Sequence, residues 1–293
     1  MLLTIQPHEC LRSFLERHFF LDPESLESNR FRKISTYYMR GSSIQLIAEV
    51  LGRGDTYGFN RLLHDHTSYS QVAVFTTSNQ KSYARSDYQS SNVRFITEHQ
   101  LPGICIQCVK DDIAQLGFPY WRRDHRYVKV CSKHNTLLLR KCPICAKDIN
   151  VHGYAYGHDL LWKGCKGRYI HQCESKINYD GWQLIISEIF AEIGGSKFTV
   201  DLEFVTAHIA DEIRRLSDFG WISETQKNAV KHRLDTFKRK AEAGYEYRPD
   251  LKYSEYIIYV IAIVYGSFAG LLDSVRAVGG PVRNVSDLMH VKT

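Results

Sequence analysis

Cysteines and histidines in closely spaced pairs are the residues of this chain whose types and spacing can do chemistry. Seven of the eight cysteines fall within 69 residues: Cys105, Cys108, Cys131, Cys142, Cys145, Cys165 and Cys173, with only Cys10 apart. Three pairs share a two-residue gap: Cys105-x-x-Cys108, Cys131-x-x-His134 and Cys142-x-x-Cys145. Such a gap lets the backbone turn over a metal and aim both ligand atoms at it, and zinc takes four nitrogen or sulfur ligands in a tetrahedron. A disulfide framework belongs to short secreted chains. This chain has 293 residues, and its opening MLLTIQPHEC lacks the basic and apolar stretches of a signal peptide. Zinc is therefore the expected cofactor, two ions per chain, in a chain expected to be cytoplasmic.

The first site is expected from Cys105, Cys108, Cys131 and His134, with no position left open for a substrate. The second begins with Cys142 and Cys145, where Pro143 stiffens the turn. Cys165 and Cys173 would complete an all-cysteine set, and His171 or His158 stands as a substitute for Cys173. A second reading leaves one zinc only, with the later cysteines buried as small apolar residues.

Other chemistry is thinly represented. The sequence has no phosphate-cradling G-x-x-x-x-G-K-[ST] loop, no G-x-S-x-G elbow and no H-E-x-x-H helix. Asp111-Asp112 and His64-Asp65-His66 are the acidic and histidine clusters, and adjacent side chains rarely converge, so surface roles are expected for both. A binder is expected rather than an enzyme, with no small-molecule substrate. The net charge of +6 sits on the cysteine-rich segment: residues 101–175 hold 12 Lys and Arg against 6 Asp and Glu, while the rest nearly balances. A local basic excess points to an anionic partner such as DNA or RNA, moderated by the thiolates of loaded zinc sites. Within that segment Tyr120, Trp121, Arg122, Arg123 and Arg126 form a candidate contact surface, since aromatic residues and Arg dominate interface hot spots. The competing reading packs Tyr120 and Trp121 over the first zinc.

The elements that must position these residues read as mainly α: a helical domain over 1–100, a zinc module with little secondary structure over 101–176, and a helical domain over 177–293. Residues 8–20 place Leu11, Phe14, Leu15, His18 and Phe19 on one helical face, with Pro7 in the first turn. Residues 43–51 and 56–64 read as two helices, either a helix-turn-helix or a plain hairpin. Residues 66–104 read as irregular. Asp180 and Ser223-x-x-Gln226 signal helix starts, and a helix of 202–216 carries Leu202, Val205, Ile209, Ile213 and Leu216. Residues 254–272 read as one buried helix, since 17 uncharged residues with three Tyr, two Gly and a Ser suit a core better than a bilayer. No membrane partner is expected. Lys227, Lys231 and Lys238 share one face of the preceding helix, with Arg233 and Lys240 on another.

The string CIQCVKDDIAQLGFPYWRRDHRYVKVCSKHNTLLLRKCPIC resembles the TniQ/TnsD family of transposition target selectors. The family features are Cys105/Cys108, Tyr120-Trp121-Arg122, Cys131/His134 and the apolar run Leu137 to Leu139. The opening Pro7-His8-Glu9-Cys10-Leu11-Arg12-Ser13-Phe14-Leu15-Glu16-Arg17 looks like the family's P-x-E-S-L-x-S-W-L-x-R helix, with Cys10 for its usual Ser and Phe14 for its usual Trp. His66-Thr67 resembles a further landmark. The resemblance to short members of the TniQ type implies a homodimeric, non-enzymatic adaptor in the bacterial cytoplasm. Such an adaptor links an RNA-guided CRISPR effector complex (Cascade-type) to the AAA+ ATPase TnsC for DNA integration. The TnsD type implies the alternative, direct sequence-specific DNA binding.

Overall fold

Apolar residues spaced three and four apart recur along most of the chain, and the computed structural model is accordingly mainly helical. It describes residues 3–32, 34, 41–67, 69–76, 82–88, 103–149, 152, 159–242 and 252–286. In chain order the elements begin α1 Leu11–Leu21, α2 Leu26–Phe31, α3 Gly41–Val50, α4 Thr56–His66, α5 Tyr69–Ala73, β1 Phe75–Thr76 and α6 Ile106–Leu116. They continue β2 Val130–Cys131, β3 Thr136–Leu137, α7 Leu160–Lys163, α8 Gly181–Gly195, β4 Phe198–Asp201 and α9 Leu202–Asp218. The last are α10 Glu224–Glu242, α11 Lys252–Val264, α12 Phe268–Ala277 and β5 Val282–Asn284.

These residues pack as two units, each assembled from separated stretches: 1–54, 65–67 and 95–187 in one, 55–64, 68–94 and 188–293 in the other. The units interleave in sequence, whereas local patterning suggests three segments laid end to end.

The first unit holds every paired cysteine. Helix α1 starts later than its sequence suggests: Pro7 lies in a turn before it, and the Cys10 side chain caps it by accepting from the Ser13 N–H. Leu11, Phe14 and Leu15 are buried as expected. His18 is buried with its ring edge-on to Phe14 and Phe31, and neither of its nitrogens has a hydrogen-bond partner among the described residues. A second small core gathers Cys10, Ile104, Ile106, Val109, Trp121, Ile149, Leu160, Leu161 and Ile170 around the cysteines. Helix α6, of 11 residues, runs straight from the first cysteine pair, so this segment has more regular structure than its composition suggested.

The second unit is a helical layer on a three-stranded sheet of order β1-β4-β5. Strand β1 lies parallel to β4, pairing Phe75 with Val200, and β5 runs antiparallel, pairing Val282 with Val200. Helix α5 and strand β1 thus lie within residues read from sequence as irregular. Asp201 ends β4 and caps α9, accepting from the Phe204 N–H at 2.8 Å. Leu202, Val205, Ile209, Ile213 and Leu216 all face inward, as the periodicity predicts. Ser223 and Gln226 form the expected reciprocal cap on α10. The second cationic face of α10 is occupied: Arg233 lies 4.0 Å from the Tyr259 ring centre and Lys240 4.9 Å from that of Tyr256.

The uncharged stretch expected as a single buried helix is two helices, α11 and α12, bent by 70°. Tyr265 follows the last residue of the first, Gly266 takes φ +72, and Ser267 caps the second by accepting from the Gly270 N–H. Glu192 accepts from the Phe268 and Ala269 N–H groups, holding the new helix start. Among the described residues no single helix is long and apolar enough to cross a membrane.

Candidate metal centres

At the first centre Cys105 is the N-cap of α6, so the helix start orients its sulfur, which accepts from the Cys108 N–H at 3.4 Å. Cys131 ends β2, and the turn to β3 closes through Asn135, whose N–H reaches the Cys131 carbonyl at 2.9 Å and whose φ is +49. Asn tolerates that left-handed conformation better than most residues. The turn swings His134 back toward α6. Its Nδ1 then lies 3.5 Å from Cys105 Sγ, 3.3 Å from Cys108 Sγ and 3.6 Å from Cys131 Sγ, while the Cys108 and Cys131 sulfurs are 3.7 Å apart. Zinc–sulfur bonds of about 2.3 Å and zinc–nitrogen bonds of about 2.0 Å put tetrahedral ligand atoms roughly 3.5–3.8 Å apart. The four residues expected from spacing therefore form a tetrahedral cage of the right size for zinc.

Its surroundings are built for a cation. His134 Nε2 faces Asp111 Oδ2 at 3.0 Å, which leaves Nδ1 for the metal. Gln107 donates to the other Asp111 oxygen at 3.3 Å, and Lys133 also pairs with Asp111. The Thr136 hydroxyl lies 3.3 Å from Cys105 Sγ. The clustered sulfurs have divergent acidities. Hydrogen bonds from Cys108 and Cys131 hold Cys105 well below the ordinary thiol range, and the same cluster pushes Cys108 well above it. A divalent cation removes that conflict by favouring all three thiolates at once.

The second centre gathers Cys142, Cys145, His152 and Cys165, whose ligand atoms all lie within 4.8 Å of one another. Cys142 and Cys145 sit on a tight turn closed by the Ala146 N–H to the Cys142 carbonyl at 2.9 Å and the Cys142 N–H to the Lys147 carbonyl at 2.8 Å. Cys165 and Arg168 exchange both backbone hydrogen bonds, at 2.8 and 2.9 Å, across Lys166 and Gly167. Both turn residues have positive φ, +49 and +74, the pattern of a type I′ hairpin.

Cys173 is the one expected ligand that lies outside these clusters. Its sulfur is 3.9 Å from the Tyr169 carbonyl, after a short 3-10 turn of Ile170–Gln172 carries the chain away from Cys165. His152 takes the fourth place. The sequence offered a signal for it, a histidine seven residues after Cys145. Spacing alone does not separate it from His158 and His171, which follow the same cysteine pair. His171 stacks on Tyr169 instead, and His158 lies outside the described residues. Two Cys3His centres carry one net negative charge each when loaded with zinc, so the segment keeps more of its basic excess than an all-cysteine second site would allow.

The candidate contact residues are largely turned inward. Tyr120, Trp121 and Arg123 are buried. Arg122 makes a two-pronged pair with Asp112, at 2.7 and 2.5 Å, and lies over the Tyr120 ring. The side chain of Arg126 lies outside the described residues. In the acidic and histidine clusters Asp112, His64 and His66 are buried, Asp112 holding Arg122, while the half-buried Asp111 holds His134.

The same inward turn ties the chain's start to the segment between the two ligand pairs of the first centre. Glu9 and Arg17 form a buried pair at 2.8 Å, and Ser13 donates to the same carboxylate at 3.0 Å. Ser13 Oγ then accepts from the Trp121 N–H at 3.0 Å, and the Trp121 carbonyl accepts from the Cys10 N–H at 2.9 Å. His66 Nδ1 donates to the Glu9 carbonyl, and Arg123 donates to the Thr67 carbonyl. Burial pushes the Glu9 carboxyl above its ordinary range despite Arg17, so the pair specifies geometry more than it adds stability.

No known protein-family model matches the chain, and no curated protein matches it.

Proposed function

We propose that this chain is a non-enzymatic zinc-binding adaptor in transposon target selection, joining an RNA-guided CRISPR effector complex of the Cascade type to the AAA+ ATPase TnsC as a homodimer. The observation that supports this reading is the packing of the three stretches that resemble the TniQ family. Residues 7–17, His66-Thr67 and the segment between the two ligand pairs of the first metal centre lie in one unit and share one buried network through Glu9, Ser13, Arg17, Trp121 and Arg123. Residues spread over more than a hundred positions thus act together, which a chance likeness of separate motifs would not require. Each centre also gathers three cysteines and one histidine, a ligand count that suits structural zinc rather than a site that must keep a position for substrate.

Size-exclusion chromatography of the zinc-loaded chain with the purified guide complex, and separately with the ATPase, tests the reading. Co-elution with both is expected, and elution apart from both overturns it. Anisotropy with a duplex of unrelated sequence, titrated to physiological salt, tests the rival. Tight binding with a steep salt slope would put the direct DNA-binding selector of TnsD type ahead.

A further inference from the structure

The second metal centre supports a surface that the adaptor reading does not use. The hairpin Cys165–Arg168 carries Lys166 at its tip and Arg168 at its exit, both exposed. Neither pairs with a carboxylate among the described residues. Tyr169 follows directly, is 44% exposed, and stacks on the His171 ring with centres 5.6 Å apart and planes 17° apart. Lys141 and Lys147, on the turn that brings Cys142 and Cys145 to the same centre, are exposed as well. Residues 140–173 hold six Lys and Arg against two Asp, and Asp159 is already paired with Lys163 at 2.9 Å. The excess remains positive after one net negative charge is added for a loaded Cys3His centre.

Cations flanking an exposed aromatic platform are the two parts needed to hold single-stranded nucleic acid, phosphates on the first and a base on the second. We infer that the hairpin and turn around the second centre, Lys166, Arg168, Tyr169 and His171 with Lys141 and Lys147, bind single-stranded RNA or DNA without strong sequence preference. The zinc site supplies the rigidity: a hairpin tip whose Cys165 is fixed to a metal holds its cations in place, so less ordering entropy is lost on binding. The inference stands apart from the transposition reading, because it needs only the local geometry of this centre.

Fluorescence anisotropy of the zinc-loaded full chain tests it, with oligouridylate and oligothymidylate of about a dozen nucleotides and a duplex of equal length. Binding to one or both single strands is expected at physiological salt, and the RNA and DNA arms identify the preferred sugar. Tyr169→Ala is expected to weaken that binding about tenfold. Lys166→Glu with Arg168→Glu is expected to weaken it by at least about tenfold and to flatten the salt slope by about 1.4. Both variants should keep the zinc content of the unaltered chain. Photocrosslinking of 4-thiouridine oligomer to the unaltered chain needs no variant to fold, and adducts are expected within 166–171. Absence of single-strand binding, duplex binding of equal strength, full binding by zinc-loaded variants, or adducts confined elsewhere would each overturn the inference.

Discussion

A thiolate and a neutral imidazole are both ordinary zinc ligands, so the fourth position of the second centre falls to reach. His152 follows a turn closed by its own N–H to the Ile149 carbonyl at 3.1 Å, and Ile149 is anchored in the core around the centre. Cys173 is carried off by the 3-10 turn after Tyr169. Metal analysis after dialysis against a mild chelator separates the two. Cys173→Ser is expected to keep the zinc content of the unaltered chain, whereas His152→Ala loses zinc from one centre. The reverse result would return the position to Cys173. Asp112 and Asp111 teach the same lesson at the first centre. Neighbours on one helix, they diverge as adjacent side chains must, one to Arg122 and one to His134.

Turns set the geometry of the second metal centre, and Gly164 shows how strictly. It ends α7 (Leu160–Lys163) at φ +68 and ψ −158, a conformation that glycine alone adopts readily. A Cβ there would lie 2.3 Å from the Arg168 carbonyl oxygen, inside the hairpin that presents Cys165. Gly164→Ala is expected to cost about 1–3 kcal/mol in strain alone and to lower zinc retention at the second centre, while the first centre stays loaded. Thermal unfolding and metal content read the two effects. Loss of the first centre instead would show that the hairpin braces the whole first unit. A Gly followed by Cys in the sequence announces a turn, but the identity of the atom that forbids a side chain is a fact of the folded hairpin.

Acid sensitivity belongs to the first unit taken whole. Burial lowers both His66 and His125 from the ordinary 6.5 to about 4. Each is therefore neutral when folded and takes a proton more readily when unfolded. Their contribution is complete above about pH 6.5 and is lost as pH falls from there toward 4, by up to roughly 3 kcal/mol for each. Protonation of the zinc thiolates weakens the unit over part of the same range. The His66 share is the difference in the pH dependence of the urea midpoint between the unaltered chain and His66→Gln, both zinc-loaded. The variant is expected to show the flatter profile between pH 7 and 5. Identical profiles would mean that His66 is not titrating on unfolding.

Three ligand pairs, the inward stripe of α9 (Leu202–Asp218), the cap of α10 (Glu224–Glu242) and the mainly helical class were legible in the sequence. Each rests on local spacing: a two-residue gap turns the chain over a metal, and apolar residues three and four apart share a helix face. The tertiary structure decided what spacing cannot carry. It decided between two readings that the sequence left open, placing Tyr120 and Trp121 in the core, and it buried Arg123 with them, because Ser13, Cys10 and Thr67 supply Trp121 and Arg123 with partners from elsewhere in the chain. It bent one apolar stretch into α11 (Lys252–Val264) and α12 (Phe268–Ala277), because Glu192 was at hand to receive the freed N–H groups. And it chose His152 over Cys173, because a metal selects ligands by where the folded backbone delivers their atoms.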